Sequence, residues 1–143
     1  SVWLERQNPE KPFYLIGQYE KTQPAVSEVK APETGATRPE YNLIAPTGIE
    51  PTDLNEVKEL RSDAVGENDK ILLFRDGVPF RYTRNAEKKW GYWKQVYTYD
   101  PATDEVTATS QFVTEDTKVD AGLGLWYISE GGSPTINWNE KAE

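Results

Sequence analysis

Cysteine, methionine and histidine are all missing from this chain of 143 residues. Without cysteine or histidine there is no thiol nucleophile, no Ser-His-Asp relay and no ordinary zinc site, which removes most hydrolase chemistry. The joint lack of cysteine and methionine leaves little for oxidants to attack. No apolar run reaches membrane-spanning length. Basic residues are outnumbered, 16 Lys and Arg against 24 Asp and Glu, for a net charge of -8. That balance argues against nucleic acid as a partner, because phosphate binding depends on concentrated positive charge. Solvation is the favoured reading of the acidic surface, ahead of weak divalent-cation binding.

What the chain does have is rings. Only 36% of residues are hydrophobic and the mean hydropathy is -0.76, yet 12% are aromatic, with five Trp and eight Tyr. Disordered chains are depleted in such residues, so a folded core is expected, and the length suits one domain.

Proline divides the chain. Pro9, Pro12, Pro24, Pro32, Pro39, Pro46 and Pro51 all fall in the first 51 residues. Residues 1–40 therefore read as an extended, Pro-rich N-terminal arm ahead of a β-rich domain over residues 41–143. The polar stretch 20–40 has little apolar surface to offset an ordering entropy of roughly 1–2 kcal/mol per residue. Its order must come from what it touches, either its own domain or a neighbouring subunit. Ahead of it, Val2-Trp3-Leu4 and Phe13-Tyr14-Leu15-Ile16 are β-prone runs, to be paired into the sheet or offered to another molecule. Ser1 reads as the residue left after signal-peptide cleavage, which would place the protein outside the cell or on its surface.

The remainder predicts an all-β, antiparallel fold, a sandwich or partly open barrel of eight to ten short strands with one short helix near 52–61. Tyr41-Asn42-Leu43-Ile44 is a strand, and Leu54, Val57 and Leu60 sit at helical spacing behind a Thr52 or Asp53 cap with Glu56 completing a capping box. Asp76-Gly77 is a two-residue type I′ hairpin signal, which places Arg75 opposite Val78, Leu73 opposite Phe80 and Ile71 opposite Tyr82 on a core face. A strand from Trp90 to about Tyr99 puts Trp90, Tyr92, Lys94 and Val96 on one side and Trp93, Gln95, Tyr97 and Tyr99 on the other. A turn at Asp100-Pro101-Ala102-Thr103-Asp104 leads to a return strand over residues 105–113. Residues 122–129 and 134–138 are expected to close the domain as a final hairpin.

Carboxylates are the remaining catalytic candidates. Asp63, Glu67 and Asp69 share one loop, but nothing in their spacing separates an acid from a base, and a solvated loop is the expectation. Asp100 and Asp104 read as turn residues bonding their own backbone. The stretch 63–69 lacks an EF-hand ligand pattern, and Gly122-Leu123-Gly124 is not a phosphate loop, so no metal or cofactor is called for. Trp93, Tyr97 and Tyr99 are candidates for stacking sugar rings, although core or subunit-contact rings are the commoner use of such residues.

From Tyr41 onward the motif order resembles a family of uncharacterised bacterial secreted β-domains. The residues that carry it are Asn42-Leu43-Ile44, Leu54-Asn55-Glu56-Val57, Asn68-Asp69-Lys70-Ile71, Trp90-Gly91-Tyr92-Trp93 and Gly122-Leu123-Gly124-Leu125-Trp126-Tyr127. The resemblance covers residues 41–138, implies an exported or cell-surface protein and brings no catalytic residues with it.

The expectation is a non-enzymatic structural subunit of an extracellular filament or surface assembly. Copies would join by strand addition or arm exchange through the N-terminal segment, with Val2, Trp3, Leu4, Phe13 and Tyr14 as subunit contacts. The alternative is a carbohydrate-binding module that holds a surface glycan on Trp93, Tyr97 and Tyr99.

Overall fold

The computed structural model describes residues 26–47 and 50–138, so the expected contacts Val2, Trp3, Leu4, Phe13 and Tyr14 lie outside the described residues. The described chain is all-β and antiparallel. Its strands are β1 Val26–Glu28, β2 Glu40–Ile44, β3 Thr52–Asp53, β4 Lys70–Arg75, β5 Val78–Arg84, β6 Trp90–Asp100, β7 Glu105–Val113, β8 Lys118–Val119, β9 Leu125–Ser129 and β10 Thr135–Asn137. A six-stranded sheet runs in the order β2-β9-β4-β5-β6-β7, flanked by the pairs β1-β10 and β3-β8. The two edges of the large sheet, β2 and β7, are not partners, so it does not close into a barrel.

The β4-β5 hairpin forms as its turn residues dictate. Asp76 and Gly77 both have positive φ, 50° and 77°, the conformation a type I′ turn needs and glycine adopts without steric cost. Arg75 pairs with Val78, Leu73 with Phe80 and Ile71 with Tyr82. Ile71, Leu73 and Tyr82 are buried, and Phe80 packs against them.

The expected helix over 52–61 is replaced by two 3-10 turns, Leu54–Glu56 and Glu59–Arg61. The apolar spacing still serves, since Leu54, Val57 and Leu60 are all buried. Val57 is extended (φ -84°, ψ 120°) and breaks the helical run. Asp53 caps the first turn through Asn55 N at 2.9 Å. Tertiary bonds hold it in place: Asn55 Nδ2 donates to Trp90 O at 2.9 Å, while Asn55 Oδ1 accepts from Trp90 N at 2.8 Å. Fixing both groups of one backbone position ties the turn to the root of β6, a constraint that an uninterrupted helix would not meet.

These turns cover one face of the large sheet and close the core around Trp90, Tyr82, Tyr127, Leu125 and Ile71. Trp90 is fully buried with its indole N–H donating to Leu60 O at 2.9 Å and Tyr127 edge-on to its ring at 6.0 Å. The bond supplies the partner that a buried indole needs.

The final hairpin does not form. β9 has both edges occupied, by β2 and β4, so β10 cannot join it and pairs with β1 instead. Between them the 130–133 loop is held by Asp69, whose Oδ1 accepts from Glu130 N at 2.7 Å. Part of the Pro-rich segment is thereby given a place. Val26–Glu28 lies along β10, Val29 is buried with its N–H on Pro134 O at 3.1 Å, and Lys30 N and O bond the Asn42 side chain of β2 at 2.9 and 3.0 Å. From Val26 to Lys30, its own domain holds it.

Candidate functional site: an open sheet face and an aromatic ribbon

The second face of the large sheet is largely open, with Ile128 its buried apolar exception. Strand register fixes which residues share it. Tyr41 pairs with Ile128 and Leu43 with Trp126, Ile128 with Lys70, Trp126 with Leu72, and Lys70 with Thr83, which pairs with Gly91. Alternation from Gly91 carries the same face out along β6 to Trp93, Gln95, Tyr97 and Tyr99 and, across the pairing, to Phe112, Ser110, Ala108 and Val106 of β7. On this face Tyr41, Leu43, Phe74, Trp126, Trp93, Tyr97, Tyr99 and Val106 are exposed, the most open being Tyr97 at 68%. A chain this short of apolar residues has nevertheless left many of its largest ones in water. They form two groups, separated by Thr83 and Arg81 of β5, and exposed apolar groups gathered on one sheet face mark a contact surface.

At the β7 end the sheet thins to a ribbon. β5 pairs with β6 only at Thr83–Gly91 and Arg84–Trp90, whereas β6 and β7 stay paired from Tyr92–Val113 out to Asp100–Glu105. From Trp93 to the tip both faces are largely exposed. The root depends on Gly91. A Cβ there would collide with the backbone oxygen of Val113 and come within 2.7 Å of the Phe112 ring, so only glycine lets β7 lie this close and the ring lie across the strand, where it meets Trp93 edge-on at 5.3 Å. At the tip, Asp100 Oδ1 accepts from Ala102 N at 2.9 Å, as expected of a turn residue. Asp104 bonds a side chain instead: its Oδ1 accepts from the Tyr99 hydroxyl at 2.8 Å and fixes that ring.

Trp93, Tyr97 and Tyr99 are therefore brought together in a row, and they are not core. Trp90 and Tyr92, on the opposite side of β6, turn towards the core. The members of this surface missing from the sequence reading are Tyr41, Leu43, Phe74 and Trp126. The one signal available in the sequence was that residues 125–128 are apolar or aromatic at every position, where a half-buried strand would alternate.

The carboxylate loop is solvated at Asp63 and Glu67, as expected, and departs from the expectation at Asp69. Asp63 is exposed, its carboxyl held below the usual range by a hydrogen bond and ion pair with Lys88 at 2.6 Å. Asp69 is fully buried, accepting from the Tyr127 hydroxyl at 2.6 Å, Glu130 N at 2.7 Å and Gly66 N at 2.8 Å. It is a structural hub, not part of a solvated loop. Burial, with Asp69 beside it, pushes the Tyr127 hydroxyl well above the ordinary tyrosine range, and burial pushes Tyr82 up to about 12.

An open cleft of about 560 Å³ lies between Phe74, Arg75, Asp76, Asp116, Lys118 and Asp120. Its guanidinium is already engaged, with the Tyr82 hydroxyl, with Lys118 O at 3.0 Å and over the Phe80 ring at 4.4 Å. Among the described residues, no group of His, Asp or Glu side chains is placed to hold a metal ion, and no helix is long and apolar enough to cross a membrane.

The chain matches no family model, no curated protein and no solved structure. Function must be read from its own geometry.

Proposed function

We propose that this protein is a non-enzymatic structural subunit of an extracellular filament or cell-surface assembly, joined to the next copy through its N-terminal segment. The observation that carries the reading is the open face, which bears Tyr41, Leu43, Phe74 and Trp126 on one side of β5 and the aromatic row of the ribbon on the other. A two-stranded ribbon exposed on both faces is marginal in water, so a third element is the natural source of its stability. The two apolar runs of residues 1–25 supply matching chemistry. The absence of cysteine and histidine and the structural use of Asp69 both weigh against an enzyme. Deleting residues 1–25 removes nothing from the described core and is expected to leave a folded monomer, read by circular dichroism and sedimentation. A truncated chain that still polymerises would refute the arm mechanism.

The exposed row of Trp93, Tyr97 and Tyr99 favours one second reading, a glycan-stacking face. It predicts a monomer whose tryptophan fluorescence shifts on titration with a polysaccharide, and loss of that shift in Trp93→Ala.

A further inference from the structure

The six-stranded sheet has two edges, and the chain treats them differently. At β2 the main chain of Lys30 is bonded to Asn42, so a segment of the same domain lies against that edge. At β7 nothing described lies beyond the strand. Free edges attract other strands, and proteins blunt them with lysine, proline, bulges or brevity. β7 has none of these. Its nine residues, EVTATSQFV, contain no Lys, Arg or Pro, and they pair with β6 in unbroken register from Glu105 to Val113. On the aromatic face small side chains, Ala108 and Ser110, stand between Val106 and Phe112 and opposite Tyr97 and Gln95. A large side chain on an added strand would find room beside them.

The sequence outside the described residues holds a segment of suitable composition. Residues 13–19, Phe-Tyr-Leu-Ile-Gly-Gln-Tyr, form its longest β-prone run, uncharged and close to β7 in length. Arg6, Lys11 and Lys21 balance Glu5, Glu10 and Glu20 around it, so the donor brings no net charge to an acidic protein. The described chain begins at Val26, paired with Asn137 of β10, and by Lys30 it lies against β2, the edge opposite β7. Lys30 and the free edge of β7 thus lie at opposite sides of a sheet five strand spacings wide, roughly 24 Å. A contact between different surfaces of successive copies is heterologous, and where its rotation does not close into a ring it generates a fibre.

We propose that the free edge of β7 is the acceptor for residues 13–19 of a neighbouring copy, which add to it as a seventh strand. Main-chain hydrogen bonds to β7 supply the affinity, and alternate donor side chains seat against Ala108 and Ser110. The inference rests on the assembly reading above and specifies where in that assembly the arm is received.

The lack of cysteine makes the test direct. Full-length donors carrying a single cysteine, moved one position at a time along 13–19, are mixed with full-length Thr109→Cys acceptor and oxidised mildly. A control acceptor carries Glu40→Cys on β2. The expected result is a disulfide-linked pair whose yield rises and falls with a period of two residues, the signature of a strand, on the β7 acceptor alone. Thr109→Lys, which blunts the edge while leaving the core untouched, is expected to abolish assembly in the otherwise unaltered chain. Equal linking to Glu40→Cys, or linking without periodicity, would overturn the acceptor. So would Thr109→Cys pairing chiefly with itself, or a link that forms within one chain when a double-cysteine variant is diluted into cysteine-free protein. Sedimentation of the same samples separates the two levels: assemblies without the periodic link sink the acceptor alone, whereas no assemblies at all sink the filament reading as well.

Discussion

Asp69 shows how much one residue can conceal in a sequence. It stands in a charged, glycine-containing loop, yet its carboxylate is buried under donors from Gly66, Tyr127 and Glu130, two of them about sixty positions away. No local pattern announces partners at that separation. Tyr127→Phe removes one of those donors and should cost about 1–3 kcal/mol in urea unfolding, the usual penalty for leaving a buried polar group short of a partner. Gly132→Ala should be more disruptive, because a Cβ there would collide with the Asp69 carboxylate and the backbone of Gly66, and would lie 2.9 Å from Ala64 O. The alkaline limit follows from two phenols. Tyr82 and Tyr127 both titrate higher in the folded chain than in the unfolded one. Their contribution to stability is complete below about pH 10 and is lost as pH rises through the range where the unfolded tyrosines ionise. Chemical denaturation at successive pH values should show stability falling above pH 10, with a shallower fall in Tyr127→Phe.

Among the elements, those specified locally were legible. The Asp76-Gly77 hairpin has the register its turn dictates, and β6 and β7 span almost the expected residues, because two-residue periodicity and turn chemistry act over a few positions. Elements that depend on distant partners were not. The apolar spacing of Leu54, Val57 and Leu60 suits a helix as well as two 3-10 turns, and the choice is made by Asn55 reaching Trp90. Likewise 122–138 looked like a hairpin in isolation, but β2 and β4 take both edges of β9. Asn55→Ala, which orphans both backbone groups of Trp90, is expected to loosen the ribbon root, read as faster amide exchange at Trp90 and Gly91. Gly91→Ala should act on the same root from the open side by pushing away the Val113 backbone and the Phe112 ring, with the core around Leu125 and Ile136 retaining its protection.

At the scale of the whole molecule, all-β class and antiparallel pairing could be read from strand spacing alone. The open face could not, since exposure depends on what fails to cover a sheet, and only the assembled topology shows that. One consequence of its placement is optical. Trp90 and Trp138 are enclosed by protein, whereas Trp93 and Trp126 look outward from the open side. Denaturation would red-shift the emission of the first two, and a docked neighbour would blue-shift that of the second two. The sign of the spectral change distinguishes a chain coming apart from chains coming together.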